Sequence, residues 1–314
     1  MKNTFHSYNG LRNMLTAVIP TRNRPDDLPK AVASVCAQTR LPDELIIVDQ
    51  SSGNASREHV SSVMVGIDSI KLVYIHDTSI LGLVDAKRVA SEWAGGDIVC
   101  FLEDDVVLES DYFEQIELGF VSHPAMIGCC GIISNAPKQV AGYTIFFKLF
   151  HRGIFFDRRV GLHGSFSGRG NELVASEMLS GGSSAWRREV FSAVSFDVEN
   201  GLHMSEDVDF STRVARRFPG QLFINPNARL AHYCSPVNRE TLGPRQRRKL
   251  TECIIYYKKR REWSGSTVAL PWLLFGMFLE GLLESYSVRS LDPVLGYFLG
   301  LFDGFKKKIV SQAD

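Results

Sequence analysis

The chain has 314 residues, 45% hydrophobic, 11% aromatic and 22% charged. This profile fits a folded protein and excludes disordered, collagen-like and low-complexity architectures; the length suits one large or two small domains. Thirty-five Lys and Arg offset thirty-five Asp and Glu, which argues against a nucleic-acid binder.

The first third alternates regularly. Met1 to Asn13 is polar and has no apolar signal-peptide core, so export is not expected. Leu15 to Ile19 is a short apolar run stopping at Pro20, a buried strand by length and β-branching. Asp26 or Asp27 is placed to cap a helix carrying Leu28, Ala31, Val32, Val35 and Cys36 at helical spacing. A second strand, Leu45 to Val48, ends at Asp49, and Asn54 opens a second helix. Leu72 to Ile75 is a third strand, followed by a helix around Leu83 to Trp93 opened by Lys87 and Arg88. Asp97 to Leu102 is a fourth strand running into Glu103-Asp104-Asp105, after which Ser110 or Asp111 caps a helix with Phe113, Ile116 and Phe120.

Strands alternating with helices predict an α/β fold with a mostly parallel sheet covered on both faces. Ligands on such sheets bind beyond the carboxyl ends of the strands. Asp49 and Glu103-Asp104-Asp105 both fall there, so carboxylates distant in sequence gather on one rim. Asn135 to Ser176 is glycine-rich and aromatic and reads as loops beside an acceptor groove, or equally as a structural excursion. Its Gly168-Arg-Gly170 follows no strand and is no dinucleotide fingerprint. Trp186 to Phe191 reads as a helix, as does Asp207 to Arg217. Cys36, Cys100 and Cys253 sit among apolar residues without zinc-type spacing and read as buried free thiols.

Glu103-x-Asp105 offers hard oxygen ligands where a buried strand emerges, the pattern that suits Mg²⁺ or Mn²⁺ with substrate phosphates. Glu206-Asp207 is a second acidic pair: acids at a helix start favour the dipole, or one is a general base aimed at a cleft. His232 is a further candidate ligand. Lys87 and Arg88 are candidates to neutralise a phosphate.

Taken in order, Val18-Ile-Pro-Thr-Arg-Asn-Arg24, Leu45-Ile-Ile-Val-Asp49, Gly96 to Asp105, Gly181-Gly-Ser-Ser-Ala-Trp-Arg-Arg-Glu-Val-Phe191, Glu206 to Arg213 and His232 resemble glycosyltransferase family 2, whose catalytic domain has the Rossmann-like GT-A fold. The resemblance covers roughly residues 14 to 235. It implies a catalytic domain over 1–236; beyond it, where the resemblance fades, 237–314 reads as a basic, amphipathic helical C-terminal segment. It implies that Pro20, Thr21, Arg22, Arg24 and Asp49 hold the base and ribose of a nucleotide sugar. Lys87 matches an arginine near the diphosphate, with Arg88 beside it. Asp104 would contact the ribose side of the donor, and Gly181 and Gly182 would let backbone approach the sugar or acceptor. Glu103, Asp105 and His232 would hold Mg²⁺ or Mn²⁺. Asp207 matches the catalytic base, with Glu206 the next candidate. Glu103 stands for the usual first Asp of the DxD motif, Gln50 for a common acidic residue and Arg88 for a usual Asn. The reaction implied is inverting transfer of a hexosyl or deoxyhexosyl unit to a hydroxyl of a glycan or lipid-linked acceptor, in bacterial polysaccharide or cell-envelope synthesis. A sugar nucleotidyltransferase would want a glycine-rich loop after the first strand, and Pro20-Thr-Arg-Asn-Arg24 has none. A non-catalytic nucleotide-sugar or glycan-binding protein would not need Asp207.

From Val237 to Glu262 nine Lys and Arg face three Asp and Glu. Two apolar runs follow, Val268 to Leu279 and Pro293 to Phe302, then Lys306-Lys-Lys308. Each run is shorter than the ~20 residues of a spanning helix. A cytoplasmic protein attached to the inner face of the plasma membrane is one expectation. A helical pair packed on the catalytic domain, or on a second copy in a homo-oligomer, is the other.

Overall fold

The computed structural model describes residues 12–136, 171–260 and 268–310, with Gly142, Ile145, Phe146, Leu149 and Phe150 between the first two stretches. The strands are β1 (Leu15–Thr21), β2 (Glu44–Asp49), β3 (Lys71–His76), β4 (Ile98–Leu102), β5 (Val106–Leu108), β6 (Gly128–Ile133), β7 (Val174–Ala175), β8 (Ser183–Arg187) and β9 (Leu222–His232). The helices are α1 (Leu28–Cys36), α2 (Ala55–Val63), α3 (Gly82–Trp93), α4 (Tyr112–Ser122), α5 (Val190–Ala193), α6 (Glu206–Arg217), α7 (Leu242–Lys259), α8 (Ala269–Val288) and α9 (Asp292–Lys306).

All the strands join one sheet, in the order β3-β2-β1-β4-β8-β6-β9-β5, with β7 alongside β9. The half built from the alternating sequence, β3-β2-β1-β4, is parallel. β8 then enters antiparallel to β4 and β6, and β9 runs parallel to β6. Side chains two apart in a strand share a face, and the core divides accordingly. Ala17, Ile19, Leu45, Ile47, Cys100 and Leu102 pack under α1, α2 and α4. Val18, Ile46, Val48, Val99 and Phe101 pack under α3, α5 and α6. Both faces being covered is why β1, β2 and β4 read as unbroken apolar runs rather than alternating ones.

Three expectations are corrected. Trp186 lies in strand β8, opposite Val99 and Gly128, and helix starts only at Val190. The charges of Arg187, Arg188 and Glu189 mimic a helical surface, but Trp186 is 2% exposed because a non-local partner covers it. Gly128 makes the room: a β-carbon there would lie 2.6 Å from the indole. Asp27, Asn54 and Asp111 do precede their helices, yet none makes a side-chain capping bond. The backbones of Asp27 and Asn54 are already helical, whereas a capping side chain needs an extended residue. Lys87 and Arg88 fall in the middle of α3 rather than at its start. Most of Asn135 to Ser176, with Gly168-Arg-Gly170, lies outside the described residues.

All six cysteines are free; Cys100, Cys129 and Cys130 are buried, Cys36 and Cys253 half-buried, and Cys234 exposed. The C-terminal helices form a third apolar cluster, in which Leu250, Tyr257, Leu273, Met277 and Tyr297 meet and Val208 of α6 packs against them. α9 lies unusually close to α7. A β-carbon on Gly296 would lie 2.1 Å from the Gly243 carbonyl oxygen, and one on Gly300 would lie 2.4 Å from that of Arg247. Gly304 continues the four-residue stripe against Ile254, the small-residue spacing that lets helix backbones touch. Among the described residues no helix is long and apolar enough to cross a membrane.

Candidate functional site

β4 is buried along its whole length between β1 and β8, so the acids that follow Leu102 emerge together at the sheet's rim. β9 pairs antiparallel with β5, setting His232 opposite Val106 and hence beside Asp105. His232 Nε2 lies 3.0 Å from Glu103 Oε2 and 3.0 Å from Asp105 Oδ1. One ligand atom from each of Glu103, Asp105 and His232 falls within 4.8 Å of the others. Asp105 Oδ2 accepts from the Ser235 N–H at 2.7 Å, while the buried Oδ1 has no well-formed hydrogen bond. The approach of Asp105, then of Glu103, pushes the His232 imidazole up to about 10. Burial would raise the Asp105 carboxyl, but His232 and the Ser235 N–H hold it down at about 2. Two carboxylate oxygens and an imidazole, one oxygen buried and short of a donor, could hold a metal ion. A cation there would displace the proton that His232 otherwise carries.

The loop after β1 closes one side of this centre. Thr21 donates its hydroxyl to Asp104 Oδ2 at 2.7 Å, and Arg24 donates to Asp104 Oδ1 at 2.6 Å and reaches Asp105 at 3.5 Å. Burial raises the Asp104 carboxyl despite these partners. Asn23 adopts a left-handed backbone, φ 54°, which Asn tolerates better than most residues, and its N–H donates to Ser51 Oγ. The segment after β9 clasps the same loop: Asn238 Nδ2 donates to the Arg22 carbonyl and Arg24 to the Val237 carbonyl.

The other side is built on two glycines and α6. Lys87 is 4% exposed and donates to Glu206 Oε1 and the Gly181 carbonyl, both at 3.0 Å. Asp207 accepts from the Gly181 and Val208 N–H groups at 3.1 and 2.8 Å. Burial first, then the neighbouring Glu206, pushes the Asp207 carboxyl up to about 6. Both glycines leave room for the site's own side chains. A β-carbon on Gly181 would lie 2.7 Å from Glu206 Oε1, and one on Gly182 would lie 2.6 Å from Glu103 Cδ. Gly182→Ala should therefore displace Glu103 and weaken metal-dependent ligand binding while the fold persists; equal Mn²⁺ affinities for the parent and the variant in calorimetry would contradict this.

These parts surround a cleft of about 850 Å³ lined by Pro20, Thr21, Arg22, Arg24, Lys87, Glu103, Asp104, Asp105 and His232. Glu206 and Asp207 adjoin this lining through Lys87 and Gly181. Two expected donor contacts do not reach the cleft. Asp49 is fully buried and its oxygens are taken by the Ser51 N–H and the Tyr74 hydroxyl; Gln50 lines the cleft instead. Arg88 is turned along the outer side of α3, paired with Asp85 and Glu92. The cleft also contains His203, Met204, Asn238, Arg239 and Arg248, none of which the sequence singled out as site residues. A second depression, about 960 Å³ beside α4 and β9, is lined by Gln115, His123, Asn225 and Asn227; it lacks the converging ligand set.

A sequence model of glycosyl transferase family 2 matches residues 16–192, from β1 through α5. The chain belongs to that family. An uncharacterized glycosyltransferase of Haemophilus influenzae is 28% identical over 120 residues, which span 36% of this chain and 39% of that protein. Among solved structures, the mannosyltransferase PcManGT of Pyrobaculum calidifontis, in complex with GDP-Man and Mn²⁺, superposes with a TM-score of 0.61 at 13% identity, covering 94% of this chain and 88% of that one. Residues 1–349 of TarS from S. aureus superpose with a TM-score of 0.58 at 14% identity, covering 93% and 80%. GalNAc-T7 with UDP, GalNAc and Mn²⁺ gives 0.53 at 15%, covering 89% and 59%. At these identities the likeness is one of fold, the GT-A fold.

Proposed function

We propose that this family 2 member transfers a sugar, a hexose or deoxyhexose, from a nucleotide-sugar donor to an acceptor hydroxyl with inversion at the anomeric carbon. The observation that carries the reading is the convergence of Glu103, Asp105 and His232 at the rim where Arg24, Asp104 and Lys87 also meet. The complexes of PcManGT with GDP-Man and Mn²⁺ and of GalNAc-T7 with UDP, GalNAc and Mn²⁺ support a donor of that class. Pro20, Thr21, Arg22 and Arg24 would hold the base and ribose, and Asp104 would fix Arg24 and Thr21 against them. Mg²⁺ or Mn²⁺ on Glu103, Asp105 and His232 would offset charge on the departing diphosphate.

The remaining work belongs to side chains. Asp207 accepts the acceptor hydroxyl's proton as that oxygen bonds to the anomeric carbon and the bond to the diphosphate breaks. Glu206, tied to Lys87, is the less available base. Gly181 and Gly182 admit the sugar against bare backbone. The acceptor is a glycan or a lipid-linked saccharide, in line with bacterial envelope synthesis. A nucleotide-sugar panel read by thermal shift with and without Mn²⁺ tests the reading, since a ligand that binds only the folded state raises its stability. Silence across the panel in both conditions would overturn it.

The metal can be tested alone. Asp105→Ala, and Glu103→Gln as the milder change, should abolish the Mn²⁺-dependent part of donor affinity. Calorimetry showing the same nucleotide-sugar binding with Mn²⁺ and with EDTA in the parent protein would remove the ion from the mechanism.

A further inference from the structure

The basic stretch after β9, expected to face a lipid surface, is largely consumed inside the protein. Arg239 and Arg248 line the cleft. Lys259 and Arg260 are buried against Asp209. Arg247 and Lys249 of α7 pair with Asp303 of α9 and Glu280 of α8. Lys258 donates to the Gly304, Phe305 and Lys307 carbonyls at the end of α9. Of the segments on which the membrane expectation rested, this leaves the two apolar runs and Lys306-Lys-Lys308.

The α8–α9 hairpin is amphipathic in the inverse sense for a protein surface. Its polar side faces the protein: Glu280 and Asp303 pair with α7, Gln246 of α7 donates to Glu284, and Asp292 begins α9 against Gly243. The glycine stripe of α9 fixes that inward side. The opposite side carries Leu291, Leu295, Phe298, Leu299, Phe302 and Phe305, each at least half exposed. Leu282, Leu283 and Tyr286 of α8 are exposed as well, and Phe278 joins the helices by a ring contact with Phe298. An apolar surface this continuous on a protein marks a docking site. The exposed charges at its ends are mostly cationic: Arg289 at the turn and Lys306, Lys307 and Lys308 after the last phenylalanine, against the single acid Asp292 beside Leu291.

We propose that this face seats the protein on an anionic lipid surface, with the phenylalanine and leucine side chains of α9 entering the boundary between headgroups and acyl chains. Charge decides between lipid and a second copy. Glu280, Glu284 and Asp303 are turned to α7, so a self-paired, two-fold interface would bring two sets of four exposed cations together with only one exposed acid, Asp292, from each copy. An anionic leaflet instead meets Arg289 and the three lysines with opposite charge.

Vesicle flotation tests the proposal on the full chain, using phosphatidylcholine alone and phosphatidylcholine mixed with phosphatidylglycerol. The chain should float with the mixed vesicles at low salt and much less with phosphatidylcholine alone. Leu295→Ser, Phe298→Ser and Phe302→Ser together should weaken binding by about a hundredfold or more. Lys306→Gln, Lys307→Gln and Lys308→Gln should cost about fivefold per lysine and reduce the salt dependence. All these changes are at exposed positions, so the melting temperature and donor binding should stay near the parent's, which separates failure of this proposal from failure of the catalytic reading. If the parent ignores both vesicle types at low salt, the proposal is overturned. It is equally overturned if the parent is a dimer that the triple serine variant splits while vesicle binding stays unchanged.

Discussion

Asp207→Asn should lower sugar transfer by ~10²–10⁴-fold, the usual contribution of a general base, with donor affinity close to the parent's. Asn keeps the shape and can still accept from one of the Gly181 and Val208 N–H groups, which bind different oxygens of Asp207. It cannot take a proton from an acceptor hydroxyl at neutral pH. The parent should show an acid limb near pH 6, because burial and Glu206 push this carboxyl up to about 6. The base works deprotonated, so transfer rises as pH climbs through that value and is lost below it. Glu206→Gln removes the neighbouring negative charge and leaves the Lys87 cation in place, so the limb should move to lower pH. A folded Asp207→Asn enzyme with near-normal turnover would sink the assignment, as would a limb that Glu206→Gln leaves unmoved.

The parallel half of the fold was legible because its signals are local. Apart from the three-residue β5, which the sequence reading passed over, the elements from β1 to α4 follow apolar runs of strand length alternating with helical spacing, and each boundary sits within about two residues of the sequence reading. The carboxylates at the end of β4 were legible for the same reason: a buried strand cannot end in three acids without bringing them to the rim. The helix expected at Trp186 failed because a short charged segment with one large ring fits both states, and only the contacts with Val99 and Gly128 choose. His203, Arg239 and Arg248 carried no motif. Arg239 had one usable hint, its place seven residues after His232 in a polar loop. The three glycines of α9 spaced by four were in plain view, yet the run was read as merely apolar. The fate of the basic stretch was illegible because its partners lie far along the chain, Lys259 and Arg260 meeting Asp209 across fifty residues or more.

That buried cluster should be the most sensitive point for stability. Asp209 sits in the first turn of α6 and is 2% exposed. Its Oδ2 accepts from Arg213 at 3.0 Å, and its Oδ1 accepts from Lys259 at 2.8 Å and Arg260 at 3.0 Å. Lys259 also pairs with Asp197, and the Arg260 guanidinium lies 3.5 Å over the Tyr256 ring. An acid at a helix start and cations at a helix end both complement the local dipole, so one cluster joins the N-terminus of α6, which bears Glu206 and Asp207, to the C-terminus of α7. Burial alone would raise this carboxyl, but Arg213, Arg260 and Lys259 hold it at about 2. The stabilisation is thus fully present above the ordinary carboxylate value of 3.8 and fades as pH falls towards 2. Asp209→Ala leaves cations buried without their shared partner, a change that costs about 3–5 kcal/mol when a buried pair is broken. The melting temperature should drop on the order of 10 °C at neutral pH. The gap from the parent should narrow in acid, where the parent's own Asp209 loses its charge. A neutral-pH melting temperature within a degree or two of the parent's would mean that water reaches these cations and that α7 is held to the catalytic body by its apolar contacts alone.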